Sequence, residues 1–331
     1  MAEPLVVQVM RRFKAGLLAR EREQMRRMAR RWLEVAQALE GEIEALAAEL
    51  AGAGQALGDP RGAAVWKLYK MERYQRLLAR TRAEMRRWQE YAEGEITGQQ
   101  RELARLGVRE AQAAIRAAAR VEFNLLPVEA VEAMAGLTAE GSPLWTLLQR
   151  SWPDAVEGLT KALMRGVALG WSPRKTAKAM QAGLGRGLER TLKIARSEQM
   201  RAYREASREQ FRQSGVVSGY QRLATKDART CLACLMADGE LYSVDETLRD
   251  HVSGRCTMVP VVAGMAPLAW QTGREWFEAQ PAAAQRTMMG PGRYQAWQDG
   301  KFGLEDLVTV TQDATWGEQV RPTALRDLAT S

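Results

Sequence analysis

Cysteine, histidine and asparagine are scarce in this chain, and long apolar runs are missing. Its 331 residues include three cysteines, one histidine and one asparagine, Asn124. No stretch approaches the run of about eighteen apolar residues that a membrane span requires. The short apolar run 5–10 precedes its arginines instead of following them, so we expect no secretory signal. An odd cysteine count in that setting predicts reduced thiols or a bound metal in a protein made in the cytoplasm.

The charge balance is the next feature. The formal net charge is +8, with 48 lysines and arginines against 40 acidic residues. Such a surplus favours a polyanionic partner, although an ordinary basic surface is the commoner outcome. The composition is therefore compatible with nucleic acid as a partner, and equally with an ordinary basic surface.

The three cysteines and the histidine all fall within one stretch of 26 residues. A C-x2-C pair comes first, and an H-x4-C pair follows after sixteen residues. Zn²⁺ in structural sites prefers four tetrahedral sulfur and nitrogen ligands. The spacing therefore predicts a closed structural Zn²⁺ site formed by Cys231, Cys234, His251 and Cys256. The alternative is three buried free cysteines beside an ordinary histidine.

Two long helical patterns fill the first 120 residues. Over 5–50, apolar residues recur every three or four positions, which keeps one stripe on one side of a helix. The glycine-rich segment 51–62, which contains an Asp-Pro pair, ends this pattern, and a second stripe runs over 71–119. We predict a long antiparallel helical hairpin over 1–120. A coiled coil with a partner chain is the alternative.

The outer faces of the predicted hairpin are rich in arginine. Few acids interleave the first cluster, so its guanidinium groups are expected to attract phosphate oxygens without reading sequence. A solvated helix surface with local ion pairs is the alternative. The arginines that we assign to non-specific contact with double-stranded DNA are Arg11, Arg12, Arg20, Arg26, Arg27, Arg30, Arg31, Arg76, Arg80, Arg86 and Arg87.

Shorter helices are predicted between the hairpin and the cysteines. Three positions signal the start of a helix: Pro127, Ser142-Pro143 and Ser172-Pro173. A serine side chain can accept a hydrogen bond from a free N–H of the first turn, and proline has no N–H that would need a partner. A longer helix over 188–213 follows and contains Arg196. Its apolar stripe places Glu198 on the inward face, where a carboxylate needs a cation or hydrogen bonds.

Structural pairing is the role that we expect for Glu198, with an arginine such as Arg201 or Arg229 as its partner. A catalytic role is the alternative.

After residue 215 the pattern changes to short extended segments. Residues 216–225 read as a strand, and Asp238-Gly239 is a turn signal that predicts a hairpin. The fold class that we predict is mainly α with a small β-rich, zinc-stapled lobe (α+β). Its regions are the basic helical hairpin 1–120, a short-helix region 121–186, a core 187–262 that contains the metal ligands, and a helical tail 263–331.

A group of residues around the metal pattern resembles a known family. They are Arg196, Glu198, Asp227, Arg229, Cys231, Cys234, Gly239, His251, Arg255 and Cys256. Their order and spacing are similar to those of the Mu F-like phage head-morphogenesis proteins, also called minor head proteins, over about residues 155–331. That family commonly ends the signature with His-Pro-x-Cys-Arg-Cys, whereas this chain has Val252 for the proline and Gly254 for the first cysteine.

The resemblance implies a virion protein without catalytic activity, held inside the capsid at the portal vertex. The portal protein would be its main partner, the major capsid protein a further one, and packaged double-stranded DNA a non-specific contact. No membrane is implied, and oligomer formation stays open. Structural roles follow for Arg196, Glu198, Asp227, Arg229 and Gly239.

The same residues are compatible with other classes of protein to different degrees. A cellular zinc-containing DNA-binding protein with a helical oligomerisation arm fits the same residues, although no C2H2-type recognition helix is evident between the ligand pairs. A zinc-supported nuclease is disfavoured, because His251 is already used by zinc and Asn124 is distant. A zinc deaminase needs H-x-E ahead of P-C-x-x-C, and a packaging motor needs a P-loop, and the sequence contains neither.

Overall fold

The computed structural model describes residues 3–57, 72–119, 148, 151–168, 171–313 and 317–328. The protein is mainly helical, with small antiparallel sheets and a long N-terminal helix, which confirms the coarse fold class predicted from the sequence. The helix starts predicted at Pro127 and Ser142 lie outside the described residues. Within these residues, no helix has both the length and the apolar character needed to cross a bilayer.

The elements follow one another along the chain in a helical half and a mixed half. In chain order they are α1 (Leu5–Leu57), α2 (Glu72–Ala119), α3 (Ser151–Ala168), α4 (Pro173–Leu184), α5 (Arg186–Gln213), β1 (Val217–Leu223), α6 (Leu232–Met236), β2 (Leu241–Ser243), β3 (Thr257–Val262), α7 (Gly273–Glu278), α8 (Ala282–Met289), α9 (Pro291–Gln298), a 3-10 turn (Leu304–Leu307), β4 (Val308–Asp313), β5 (Gly317–Pro322) and α10 (Leu325–Leu328).

The chain folds into two compact units. The first unit contains Met1–Arg20, Gln99–Leu137 and Ser197–Ser331, and the second contains Glu21–Gly98 and Thr138–Arg196. Both long helices therefore contribute residues to each unit. The metal-ligand candidates all belong to the first unit.

In the second unit, the described parts of α1 and α2 run antiparallel. Trp32 packs edge-on against Trp88, with ring centroids 5.0 Å apart. Further along α1, Glu42 pairs with Arg80, which lies earlier on α2. Residue numbers therefore fall along α2 as they rise along α1, as a hairpin requires. The connection over 58–71 lies outside the described residues.

Helices α3 and α4 of the second unit cross at two glycines. A Cβ atom added to Gly158 would lie 2.1 Å from the carbonyl oxygen of Gly183, and one added to Gly183 would lie 2.2 Å from that of Gly158. Only glycine leaves room for backbones at this distance. Ser172 begins α4 as the sequence predicts, with its hydroxyl accepting a hydrogen bond from the N–H of Lys175.

In the first unit, the end of α2 packs against α5 through small side chains. Ala104 and Val108 form a buried cluster with Ala202 and Ala206. Gly107 permits the close approach, because an added Cβ would lie 2.5 Å from the carbonyl oxygen of Tyr203. This helix pair supports the three-stranded sheet and the cysteine-containing loops.

The three-stranded sheet has the order β2-β1-β3, and both pairings are antiparallel. Tyr220 on the central strand lies opposite Tyr242 on β2, and their rings stack with centroids 5.3 Å apart. Gly239 adopts a φ of +90° in the connection between β1 and β2. The hairpin that Asp238-Gly239 predicts is confirmed, with α6 inserted between its strands.

The C-terminal region differs from the predicted helical tail. Helices α7, α8 and α9 are present, but β4 and β5 form a two-stranded antiparallel sheet over 308–322. The physical reason lies in the alternation of Val308, Thr309, Val310 and Thr311, since β-branched side chains favour the extended backbone.

Candidate metal centre

A short helix positions the first two cysteines. Cys231 is the N-cap of α6, and its sulfur accepts a hydrogen bond from the N–H of Cys234 at 3.4 Å. The cap holds the two cysteines of the C-x2-C pair close together in space, since Cys234 lies within the first turn that the cap closes. His251 and Cys256 arrive on the loop that returns to β3.

The histidine ring approaches both sulfurs of the C-x2-C pair. Nε2 of His251 is 3.2 Å from Sγ of Cys231 and 3.3 Å from Sγ of Cys234. Its Nδ1 lies 2.9 Å from the carbonyl oxygen of Val252. Donation from Nδ1 to this oxygen would leave Nε2 free as the ligand atom, the usual arrangement of a metal-binding histidine.

The candidate ligands form two overlapping groups, each with ligand atoms within 4.8 Å of one another. Cys231, Cys234 and His251 form one group, and Cys234, Asp250 and Cys256 form the other. The four residues predicted from the sequence thus belong to one cluster that could hold a metal ion. Cys234 belongs to both groups, and Asp250 is an addition that the spacing alone did not indicate.

Asp250 is held rigidly at the edge of the cluster. One carboxylate oxygen accepts hydrogen bonds from the N–H of His251 at 3.0 Å and from Arg222 at 3.1 Å, and the other accepts one from Arg204. A Cβ added at Gly254 would lie 2.2 Å from this carboxylate. The glycine therefore leaves the space that Asp250 occupies.

Arg222 is a fully buried cation behind the cysteines. Its guanidinium donates to the carbonyl oxygen of Arg249 at 2.7 Å and lies 3.6 Å from Sγ of Cys234. Its Nε is buried without a hydrogen-bond partner among the described residues. A buried arginine is costly unless negative charge surrounds it.

Lys14 brings a second buried cation from α1. Its Nζ donates to the carbonyl oxygen of Leu223 at 2.7 Å. Burial lowers the pKa of Lys14 to about 8, and the nearby Cys256 and Asp238 oppose this shift. The N-terminal end of α1 is packed onto the same lobe through Val7 and Met10.

The protonation of the cluster follows from these contacts. The hydrogen bond between His251 and Cys234 raises the pKa of His251 to about 9. The hydrogen bond from Cys234 lowers the pKa of Cys231, whereas the same neighbour and burial raise the pKa of Cys256 well above its ordinary value. Metal binding must therefore displace protons, because the ligand forms are thiolate and neutral imidazole.

The donor set and its surroundings fit a borderline-soft divalent ion. Three sulfurs and one imidazole nitrogen suit Zn²⁺. Arg222, Arg204, Lys14 and Lys226 bring four buried or nearly buried cations, against which Asp250 and Asp238 supply two carboxylates. Thiolates bound to a divalent ion would supply the missing negative charge.

A cleft of about 190 Å³ approaches the cluster from one side. His251 and Asp250 line it, together with Ser197, Arg201 and Arg204. None of the three cysteines lines this cleft. His251, the fourth candidate ligand, is the one that faces the cleft.

Glu198 lies in the buried part of α5, with 2% of its side chain exposed. Arg201 donates to its carboxylate at 2.6 Å, and Gln100 donates at 2.9 Å. The arginine partner that the sequence predicts is therefore Arg201, and the alternative partner Arg229 is an exposed residue. The carboxylate has the pairing that its burial requires.

The other motif residues brace the loops. Asp227 and Arg255 form a two-pronged ion pair with both N···O distances at 2.7 Å, joining the segment before Cys231 to the residue before Cys256. Arg196 pairs with Glu21 within the second unit. The N–H of Arg229 donates to the Asp227 carboxylate, so this backbone contact closes the turn before α6.

The arginines assigned to DNA contact are mostly paired with glutamates. Some of the acids lie within eight residues of their arginine in the sequence, and the others lie on the other long helix, where the local sequence does not reveal them. The pairs are Arg11–Glu3, Arg20–Glu102, Arg26–Glu23, Arg27–Glu95, Arg30–Glu23, Arg31–Glu34, Arg80–Glu42 and Arg87–Glu84. Among the described residues, no acidic partner is found for Arg12, Arg76 or Arg86.

Comparison with known proteins adds no neighbour. No family model, no curated protein and no solved structure matches this chain.

Proposed function

We propose that this protein is an architectural component of a phage head, a minor head protein whose C-terminal lobe is stapled by one structural Zn²⁺ ion. The single observation that carries the proposal is the approach of the His251 imidazole to within 3.3 Å of both sulfurs of the C-x2-C pair. Side chains twenty and seventeen residues apart meet there with the chemistry of a zinc site.

The residues that resemble the head-morphogenesis family support the proposal by their positions. Asp227 and Arg255 clamp the two loops that carry the cysteines. Glu198 ties α5 to α2 through Gln100. These contacts give the motif residues a structural reason to occur together in one lobe.

An assembly role suits the site better than catalysis. Three cysteines and one histidine make up the four ligands that structural Zn²⁺ takes, and the carboxylate of Asp250 is already engaged by two arginines. A catalytic zinc requires an open coordination position for water or substrate. The lobe is therefore proposed as a rigid docking element for the portal protein, with the major capsid protein as a further partner and packaged DNA as a non-specific contact.

Two measurements test the proposal. Native mass spectrometry and elemental analysis of protein purified without chelator should find one zinc per chain, lost in Cys234→Ser. Co-expression with the portal protein of the same phage should give a complex that survives purification. The unaltered protein is compared with Cys234→Ser, and Arg286→Gln, at an exposed residue of α8, is the control. If the purified protein contains no metal and the cysteine-containing loops are still ordered, the structural zinc site is refuted. If the protein is absent from both the portal complex and assembled heads, the assembly role is refuted.

A further inference from the structure

The outer face of α2 in the first unit carries four arginines in a row. Arg101, Arg105 and Arg109 are spaced four residues apart, and Arg116 follows seven residues later; all four are exposed. At 3.6 residues per turn they fall within an arc of about 80° and span about 22 Å. We name these four residues the α2 arginine stripe.

Arg101, Arg109 and Arg116 lack the glutamate partners that Arg27, Arg31 and Arg80 have in the second unit. No ion pair is found for these three among the described residues, and they are the arginines expected to contact a ligand. The two nearest acids of α2 form their hydrogen bonds elsewhere, and Glu110 acts on Arg109 only through its charge, without an ion-pair contact. Glu102 pairs with Arg20 at 2.9 Å, and Glu110 is buried and accepts a hydrogen bond from Tyr203 at 2.7 Å.

The helix that carries the stripe is fixed from behind. Ala104, Val108, Ala111 and Ile115 on the adjoining face of the helix are buried against α5 and the sheet. Ser207 adds a hydrogen bond to the carbonyl oxygen of Gly107 at 3.2 Å. The arginines are therefore displayed at fixed spacing, so their backbone pays no ordering entropy when a ligand binds.

We propose that the α2 arginine stripe binds the phosphate backbone of double-stranded DNA. This inference rests on the DNA contact proposed above and moves it from the paired arginines of the arms to a different surface. A duplex presents about six phosphates per strand along 22 Å. The stripe offers only cations at helical spacing, so it matches phosphates and reads no bases.

An anionic membrane is a poorer match for the stripe. A helix that lies on a bilayer buries an apolar face in it. The apolar face of α2 is already buried within the protein around Val108 and Ile115. Charge is all that the exposed face of this segment offers, which favours a rigid polyanion.

The experiment compares two triple variants in the full chain. The stripe variant is Arg101→Gln, Arg109→Gln and Arg116→Gln. The matched control is Arg31→Gln, Arg80→Gln and Arg87→Gln, which removes the same charge from arginines that pair with glutamates. Binding to a random-sequence duplex is measured by fluorescence anisotropy over a series of salt concentrations from about 50 to about 300 mM. Circular dichroism confirms that both variants keep their helix content.

We expect the slope of log K against log salt to fall by about 2.7 in the stripe variant, since each lost phosphate contact removes about 0.9. The control should lose less than about 1. An unchanged slope in the stripe variant overturns the inference while leaving the proposed function in place. Tighter binding to phosphatidylserine vesicles than to DNA also overturns it. If the unaltered protein fails to bind DNA at the lowest salt concentration, the DNA contact in the proposed function is refuted together with this inference. The assembly role is then tested by the portal complex alone.

Discussion

The guanidinium of Arg222 lies 3.6 Å from the sulfur of Cys234 and 3.1 Å from the carboxylate of Asp250, although all of its side chain is buried. The three residues come from β1, α6 and the loop before β3. The arginine thus joins the candidate metal ligands to the central strand of the sheet. Its positive charge would stabilise thiolates bound to a divalent ion, as outer hydrogen-bond partners of metal sites commonly do.

Arg222→Met should therefore weaken metal binding by about 10- to 100-fold. It should also lower the free energy of unfolding by about 3–5 kcal/mol, because a buried charge network loses one member. Competition with a chromophoric zinc chelator and urea unfolding measure the two effects. Arg249→Met is the control, since the Arg249 side chain is partly exposed and pairs with Glu318 at 3.0 Å. Equal metal affinity in both variants would remove Arg222 from the site.

Cys234→Ser should abolish metal binding, because Cys234 belongs to both groups of candidate ligands. Cys256→Ser should retain weaker binding, since Cys231, Cys234 and His251 remain together. Co²⁺ spectra can distinguish the two outcomes, because the thiolate-to-metal absorption scales with the number of bound sulfurs. Equal metal retention by the two variants would contradict the shared role of Cys234.

Hydrogen exchange should show where the metal acts. Removing it with a chelator should increase exchange over 217–262, and also over the start of α1, because Val6, Val7 and Met10 pack with Leu223 of β1. The paired arms of the second unit serve as the internal reference. Unchanged protection throughout 217–262 would show that the lobe does not depend on metal.

The metal ligands could be predicted from the sequence, because their spacing is local and their residue types are rare in this chain. The sequence also predicted the hairpin at Gly239 and the antiparallel arrangement of the two long helices. Arg222 and Asp250 could not be found in this way, since 28 residues separate them and the loop before β3 packs against β1 to bring them together. The same limit applies to Glu95, which neutralises Arg27 only because the two long helices pair at that level.

The C-terminal strands were missed for a related reason. The run over 308–313 begins with alternating valine and threonine, but Val310 and Gln312 are exposed and its other residues are only partly buried. Such a strand lacks the clear apolar alternation by which half-buried strands are recognised. Its pairing with β5 supplies backbone hydrogen bonds that no local pattern records.

Acid should weaken the clamp between Asp227 and Arg255. The hydrogen bonds from Arg255 hold the pKa of Asp227 below its ordinary value of 3.8. A carboxylate with a lowered pKa in the folded state stabilises the protein above its unfolded pKa, and this contribution is lost as pH falls through about 4 and below. Because the carboxylate is partly exposed, we expect about 1 kcal/mol.

The comparison is between the unaltered protein and Asp227→Asn, unfolded in urea at about pH 7 and about pH 3. The unaltered protein should lose about 1 kcal/mol more than the variant between these two pH values. Asp299→Asn is the control, since Asp299 has only a distant ion pair with Lys301 at 3.8 Å. The same pH dependence in the unaltered protein and in Asp227→Asn would exclude the clamp as a source of acid sensitivity.

Gly254→Ala should disturb the metal site without changing any ligand. The new methyl group would lie 2.2 Å from the Asp250 carboxylate, which Arg204 and Arg222 hold in place. Something must shift, and overpacking of this kind costs about 1–3 kcal/mol. We expect a loss of that size in unfolding experiments, together with weaker metal binding.

Gly94→Ala provides the opposite result in the same assay. Gly94 lies within α2, and an added Cβ would meet no atom within 4 Å. Alanine should therefore stabilise the helix by about 0.5–1 kcal/mol, because it loses less backbone entropy than glycine on folding. If Gly254→Ala proves as harmless as Gly94→Ala, the Asp250 carboxylate is free to move, and the rigid second group of ligands around Cys234 is wrong.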